Sequence, residues 1–228
     1  SQAIITITGM GNYGGTRTQT FAIIARQISN ADIQTIPDQT YTGASIEPEL
    51  QVIDSGKFLT RNVDYIAVYS NNIEVGTATV RIDGKGNYAG TKTTVFTIVK
   101  SNLSSAGTRV NLDPTNAVYT GRSIIPTISV TTIPPGTASD IFVASTNYDV
   151  SVVKDGKTLS NGLEGIIEIG TYTIIITGKN NYDGSARNTF VVTKCNIGSI
   201  TPELSETEFT YNGTPQTPTE TLIFNGKA

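Results

Sequence analysis

The stretch Gly84-Lys-Gly-Asn-Tyr-Ala-Gly-Thr91 decides how this chain reads, because the chain contains it three times. It stands near the start as Gly9-Met-Gly-Asn-Tyr-Gly-Gly-Thr16 and near the end as Gly178-Lys-Asn-Asn-Tyr-Asp-Gly-Ser185. Each copy lies between two runs rich in Thr, Val and Ile. In Ala78-Thr-Val-Arg-Ile-Asp83 the apolar residues fall at every second position, the period of a half-buried strand. Thr94, Phe96 and Ile98 alternate with Val95, Thr97 and Val99 in the same way. Gly and Asn between the runs tolerate the positive φ that a reversal needs. The stretch predicts one β-hairpin written three times, its second strand ending at Ile23, Ile98 and Val192. A hairpin repeated at domain spacing predicts a tandem array.

Two further landmarks recur. Tyr41-Thr-Gly-Ala-Ser-Ile-Glu-Pro48 returns as Tyr119-Thr-Gly-Arg-Ser-Ile-Ile-Pro126, and more weakly as Tyr211-Asn-Gly-Thr-Pro-Gln-Thr-Pro218. Each reads as a strand entering a Gly turn, followed by a strand that begins near the proline, which has no amide to donate. Asp64-Tyr-Ile-Ala-Val-Tyr69 is matched by Asn147-Tyr-Asp-Val-Ser-Val152, and Val75-Gly-Thr77 by Ile169-Gly-Thr171. From Tyr41 to Tyr88 is 47 residues, but from Tyr119 to Tyr182 is 63. The extra length falls in two places, around 132–139 and around 156–165. Insertions confined to loops are what a sandwich tolerates.

These offsets place complete units at 25–99 and 100–193, the second with loop insertions, each long enough to close its own core. Several short strands with turn signals between them predict a β-sandwich for each. Residues 1–24 hold the closing hairpin of an incomplete repeat, and 194–228 the opening strands of another. The expectation is a segment of something longer, with the tail of one copy able in principle to complete the head of the next by strand donation. The linkers are very short, so an all-β string of beads held in a stiff line is expected.

Composition narrows the chemistry. Charged residues are 15% of the chain and the net charge is −3 without a long basic run, which argues against a nucleic-acid or anionic-membrane partner. No apolar stretch approaches the roughly 20 residues of a membrane span, and none within this stretch reads as a signal peptide, so any targeting signal is expected to lie elsewhere in a longer chain. Histidine is absent, which removes the commonest general base and zinc ligand. Cys195 stands alone, so no intrachain disulfide forms. No cofactor or metal motif is present. Asp54, Asp83 and Asp155 lie beside or near turn glycines, and Asp-Gly at 83–84 and 155–156 reads as turn chemistry rather than calcium binding. Glu164 and Glu168 are the one carboxylate pair spaced for acid–base work, and they sit in an insertion. A catalytic role is not expected.

The candidate contact residues are in loops: Asn71 and Asn72 after the Asp-Tyr strand, Tyr88 in the second hairpin, and Asn180, Asn181 and Tyr182 in the third. The recurring tyrosine has two readings, a ring anchoring its loop over the end of the sandwich or a platform on which a ligand stacks. Discrimination rests on whether aromatic rings cluster on an exposed face.

Taken together, Tyr-Thr-Gly…Pro, Asp-Tyr-x-Ala-x-Tyr-Ser-Asn-Asn, Val-Gly-Thr-Ala-Thr-Val and Gly-Lys-Gly-Asn-Tyr-x-Gly-Thr resemble the tandem immunoglobulin-like, glycine-rich β repeats of large secreted bacterial proteins and bacteriophage virion structural proteins. The resemblance covers nearly the whole chain, is strongest over 31–99 and weakest after 194. It implies tandem immunoglobulin-like β-sandwich domains on a bacterial or virion surface, in a stalk, fibre, decoration or adhesin. The implied partners are neighbouring repeats of the same chain or assembly, with a surface glycan or host receptor as the alternative. It brings no catalytic residue.

Overall fold

The computed structural model describes residues 1–200 and 202–222. The opening strands expected over 194–228 therefore lie partly outside the described residues, at Thr201 and 223–228. The fold is all-β, and the chain divides into two compact units, Ser1–Val99 and Lys100–Ala228.

Unit 1 opens with a hairpin of β1 (Gln2–Thr8) and β2 (Thr16–Ala22). Then come β3 (Arg26–Gln27), β4 (Asp32–Ile33), β5 (Gln39–Thr40), β6 (Val52–Asp54), β7 (Lys57–Phe58), β8 (Tyr65–Ser70), β9 (Gly76–Gly84), β10 (Tyr88–Ala89) and β11 (Thr91–Val99). One sheet runs β5-β11-β9-β8 and the other β4-β6-β7, with β3 and β10 paired in parallel. The alternation in β9 buries Ala78, Val80 and Ile82 while Thr79 and Arg81 face outward, and β11 adds Phe96 and Ile98 to the same side. Ile28, Val52, Leu59 and Tyr65 pack with Ile82 in the core. Each such side chain contributes about 1.5–3 kcal/mol by leaving water, which makes this layer the main source of stability.

Unit 2 repeats the plan. Its strands are β12 (Ser101–Asn102), β13 (Arg109–Asp113), β14 (Asn116–Val118), β15 (Thr127–Thr132), β16 (Ile141–Val143), β17 (Tyr148–Lys154), β18 (Lys157–Thr158), β19 (Gly170–Gly178), β20 (Tyr182–Asp183) and β21 (Ser185–Thr193), followed by the pair β22 (Pro202–Leu204) and β23 (Glu220–Leu222). The main sheet runs β14-β21-β19-β17-β18 and the second β13-β15-β16. The pairing registers match residue for residue. Ile98 faces Gly76 as Val192 faces Gly170. Tyr65 faces Gly84 as Tyr148 faces Gly178. Tyr88 runs beside Arg26 as Tyr182 runs beside Ser101, and Ile33 faces Val52 as Val110 faces Val130. Each unit is a β-sandwich of the immunoglobulin-like kind.

The units differ in their turns and connections. Between β6 and β7 the chain turns through Ser55 and Gly56, whose φ values of 50° and 79° belong to a two-residue primed hairpin turn. The equivalent pair β15–β16 is joined by a long loop through Pro134, Pro135 and Gly136. The tight turn instead reappears after β17, at Asp155 and Gly156 (φ 50° and 74°), adding β18 to the main sheet. Asp155-Gly156 is thus the turn expected. Asp83-Gly84 is not, because both residues lie within β9. Nor does proline mark a strand start throughout: β15 begins directly after Pro126, whereas β6 begins four residues past Pro48. The intervening segment of unit 1 is held by side chains instead.

Position 82 gives a controlled test. Ile82 and Ile176 are fully buried, while Ile7, at the same place in the β1–β2 hairpin, is 64% exposed. Ile82→Ala and Ile176→Ala are each expected to destabilise their unit by about 2–5 kcal/mol. Ile7→Ala is expected to stay within about 0.5 kcal/mol in dilute solution. Denaturant melts of the three variants read this out.

Candidate functional site

The hairpin tips are built alike. In β9–β11 the amide of Tyr88 donates to Lys85 O at 3.1 Å and that of Gly84 to Gly90 O at 2.9 Å. In β19–β21 the same bonds join Tyr182 to Lys179 and Gly178 to Gly184, again at 3.1 and 2.9 Å. Asn180 has φ 57°, the conformation Gly86 adopts at 64°. Asn is the residue after Gly that best tolerates it, so this position is set by the turn.

Of the residues read as contact candidates, Asn71 and Asn180 are exposed. Asn72 is only 9% exposed, and its Nδ2 donates to Ser45 Oγ at 2.7 Å and Ile46 O at 3.0 Å. Its backbone carbonyl accepts from Ile46 N, as that of Ile166 accepts from Ile124 N. Ile166 is fully buried. An amide in one unit and an aliphatic side chain in the other thus close the same gap. Asn181 is half-buried, and its carbonyl accepts from Ser101 N at 3.0 Å. Tyr182 is 3% exposed, and Tyr88 is half-buried with its hydroxyl donating to Asp54 Oδ2 at 3.1 Å. The structure does not bring these six side chains together. Asn71 and Asn72 line a shallow concavity of about 430 Å³ with Ile73, Glu74 and Val75, while Tyr88 and Tyr182 pack inward.

The tyrosines act as tethers. Tyr69 donates to Pro48 O at 2.5 Å, Tyr65 to Leu50 O at 3.5 Å, and Tyr172 to Glu168 O at 2.6 Å. The first two hold the strandless segment before β6 against β8. Tyr69 also meets Phe96 edge-on at 6.5 Å between centroids, with the Arg61 guanidinium 5.5 Å from its ring.

One polar cluster around Asp54 has almost no signature in the sequence. Asp54, 6% exposed, accepts from Arg26 Nε at 2.6 Å as well as from Tyr88. Arg26 also donates to Ser55 Oγ at 2.8 Å. The only available signal was an Arg at the start of a unit and an Asp before a turn, and unit 2 gives no echo. There Ser101 stands for Arg26 and the fully buried Thr132 for Asp54, its hydroxyl 2.9 Å from that of Thr108. The buried position is thus satisfied by a salt bridge in one unit and by a hydroxyl pair in the other. A second unforeseen feature is that Phe58 and Phe142 occupy equivalent positions, facing Ile53 and Thr131, and are both largely exposed. Among the described residues no three His, Cys, Asp or Glu side chains converge to hold a metal ion, and no helix is long and apolar enough to cross a membrane.

No protein-family model matches the chain, and no curated protein does. Among solved structures it is similar to a protocadherin gammaB7 EC3-6 cis-dimer at 9% identity and a TM-score of 0.27, over 97% of this chain and 68% of that one. A likeness that loose transfers nothing about activity.

Burial raises the phenol pKa of Tyr65, Tyr69, Tyr88 and Tyr148 above the ordinary value; for Tyr65 and Tyr69 the nearby Arg61 charge partly offsets it, and for Tyr88 the hydrogen bond to Asp54 adds to it. A raised acid pKa means the fold holds protons that the unfolded chain releases. The stabilisation is complete below about pH 10 and is lost as pH climbs through the folded-state values. Melting temperature should therefore fall above that point, and Tyr65→Phe should make the fall shallower. Separately, Arg26→Ala is expected to destabilise unit 1 by about 1–2 kcal/mol, below the usual cost of orphaning a buried charge because water reaches the half-exposed guanidinium site. Adding Asp54→Thr should recover most of that loss in a double-mutant cycle.

Proposed function

We propose that this chain is a non-catalytic structural segment, a spacer in a large extracellular surface protein or phage virion appendage that projects or supports a binding function. The observation that carries the reading is the register-for-register duplication of one sandwich, with its recurrent tyrosines turned to internal bracing. A repeat whose shared residues go mostly to cores, turns and tethers is one selected for shape. Short connections between units (Val99-Lys100 at the junction) fit a mechanical role.

A second reading, attachment to a glycan or receptor, is favoured by one observation. Phe58 and Phe142 repeat the same exposed position in each unit, and an exposed ring is a common stacking surface.

The glycan array separates the readings. The spacer reading expects cooperative unfolding of each unit under force, a melting temperature unchanged by EDTA, and no glycan-array signal. A saturable glycan signal abolished by Phe58→Ala with Phe142→Ala would favour attachment and overturn the spacer reading.

A further inference from the structure

In both complete units the opening strands run parallel to the closing one. β3 lies beside β10 at the hairpin tip, with Arg26 opposite Tyr88, and β5 lies beside the end of β11, with Gln39 opposite Ile98. In unit 2, β12 and β14 meet β20 and β21 in the same way. The chain therefore enters each unit at the hairpin tip and leaves it at the far end of a 9-residue strand, β11 or β21. At the usual rise of a strand that separation is roughly 30 Å.

Tension along the chain acts on this geometry in a defined way. It draws β11 or β21 forward along its axis and the opening strands back along theirs. Parallel neighbours pulled from opposite ends slide past each other, so the bonds between them are strained together. An antiparallel pair pulled apart from one end opens a rung at a time, because its bonds lie across the strands in successive pairs. The opening segment of each unit, 26–41 or 101–119, is thus loaded in shear. Its resistance follows from how many bonds must give at once.

The two segments are unequal. β4 and β5 are two residues each, whereas their counterparts β13 and β14 are five and three. Both units share one amide bond at the exit, from Tyr41 to Val99 O and from Tyr119 to Thr193 O. Unit 2 adds side chains to it. Ser104 Oγ donates to Ser185 O at 3.1 Å and accepts from Ser185 N at 2.9 Å. Asn188 Nδ2 donates to Val110 O at 2.6 Å, and Thr193 Oγ1 to Ala117 O at 3.3 Å. Unit 1 has the bond from Lys92 Nζ to Ala31 O and the ion pair of Arg26 with Asp54. The guanidinium is half-exposed and holds only the entry strand β3, ahead of β4 and β5.

We propose that the opening segments are force-bearing clamps of graded strength, so that a pull on the chain opens unit 1 and leaves unit 2 folded. A spacer built this way lengthens in steps under load. That use rests on the spacer reading above, while the clamps follow from the strand order alone.

Stretching the whole chain by its two ends in optical tweezers tests this, because forced unfolding is governed by the unfolding rate. Unit 2 holds more residues, so its opening releases the longer increment of chain. The shorter increment is expected first, at the lower force. A second attachment separates the clamp from overall stability. In a Cys195→Ser background, handles on Glu74→Cys and Lys100→Cys pull β9 and β11 apart from the end where Gly76 faces Ile98, so the pair is peeled. Unit 1 should then open at a several-fold lower force than when the same protein is pulled by its ends. The longer increment appearing first, or equal forces in the two geometries, would overturn the proposal. Either failure beside a silent glycan array removes the clamps and leaves the spacer reading. A glycan signal beside the expected order of forces removes that reading and leaves the clamps.

Discussion

A side chain that is missing governs the architecture. A Cβ on Gly84 would lie 2.7 Å from Ala89 N, one on Gly178 would lie 2.8 Å from Asp183 O, and one on Gly9 would lie 2.7 Å from Tyr13 O. These are distances no carbon atom tolerates. Only glycine lets the chain at the end of each first hairpin strand (Gly84 and Gly178 within β9 and β19, Gly9 just past β1) fold flat against the returning chain, so that its amide reaches the carbonyl of Gly90, Gly184 or Gly15 at 2.9 Å. That closure sets where the second strand begins. The second strand sets the register, and the register decides which alternate residues face the core. A one-residue slip would turn Val80 and Ile82 outward and Arg81 inward.

Around this fixed hairpin the repeat exchanges chemistry freely. Asp54 is held by the charge of Arg26, whereas Thr132 at the matching place is held without charge by the hydroxyl of Thr108. Asn72 fills with two hydrogen bonds the place that Ile166 fills with hydrocarbon. Asp64 caps with its carboxylate the amide of Thr60 at 2.9 Å, while its counterpart Asn147 accepts from Asn180 at 3.3 Å. In both units the backbone carbonyl at that place takes the amide of the lysine in the hairpin tip, Lys85 or Lys179. What is kept is backbone geometry and the tyrosine in the tip. What varies is how a buried polar group is satisfied, and a salt bridge, a hydroxyl pair and an aliphatic plug are interchangeable wherever burial is complete and no group is orphaned.

This explains what the sequence disclosed. The hairpins, the alternation in β9 and β19 and the insertion sites were legible because strand period and turn glycines are local properties. The transfer of the tight turn from β6–β7 to β17–β18 was not, since Asp54-Ser-Gly-Lys57 and Lys154-Asp-Gly-Lys157 look alike in sequence while serving different sheets. The segment from Pro48 reads as the start of a strand, but its carbonyls at Pro48 and Leu50 are taken by Tyr69 and Tyr65 instead of a neighbouring strand. For the candidate site, Asn71, Asn72, Asn180 and Asn181 share a composition typical of contact loops, yet Asn72 is buried and Asn180 holds a left-handed turn. Which amides face inward depends on contacts across the sandwich. The exposed Phe58 and Phe142 were hidden because loops of unequal length put them out of step in the chain.

The central claim is that one hairpin-centred bead is folded twice in the same register. Native-state hydrogen exchange, followed amide by amide, addresses it most directly. The amides of Gly84, Lys85 and Tyr88 should be protected, and those of Gly178, Lys179 and Tyr182 should be protected in the same rank order, as should the alternate amides along β9 and β19. Protection in one hairpin without its counterpart in the other, or a pattern shifted by one residue between them, would contradict the account.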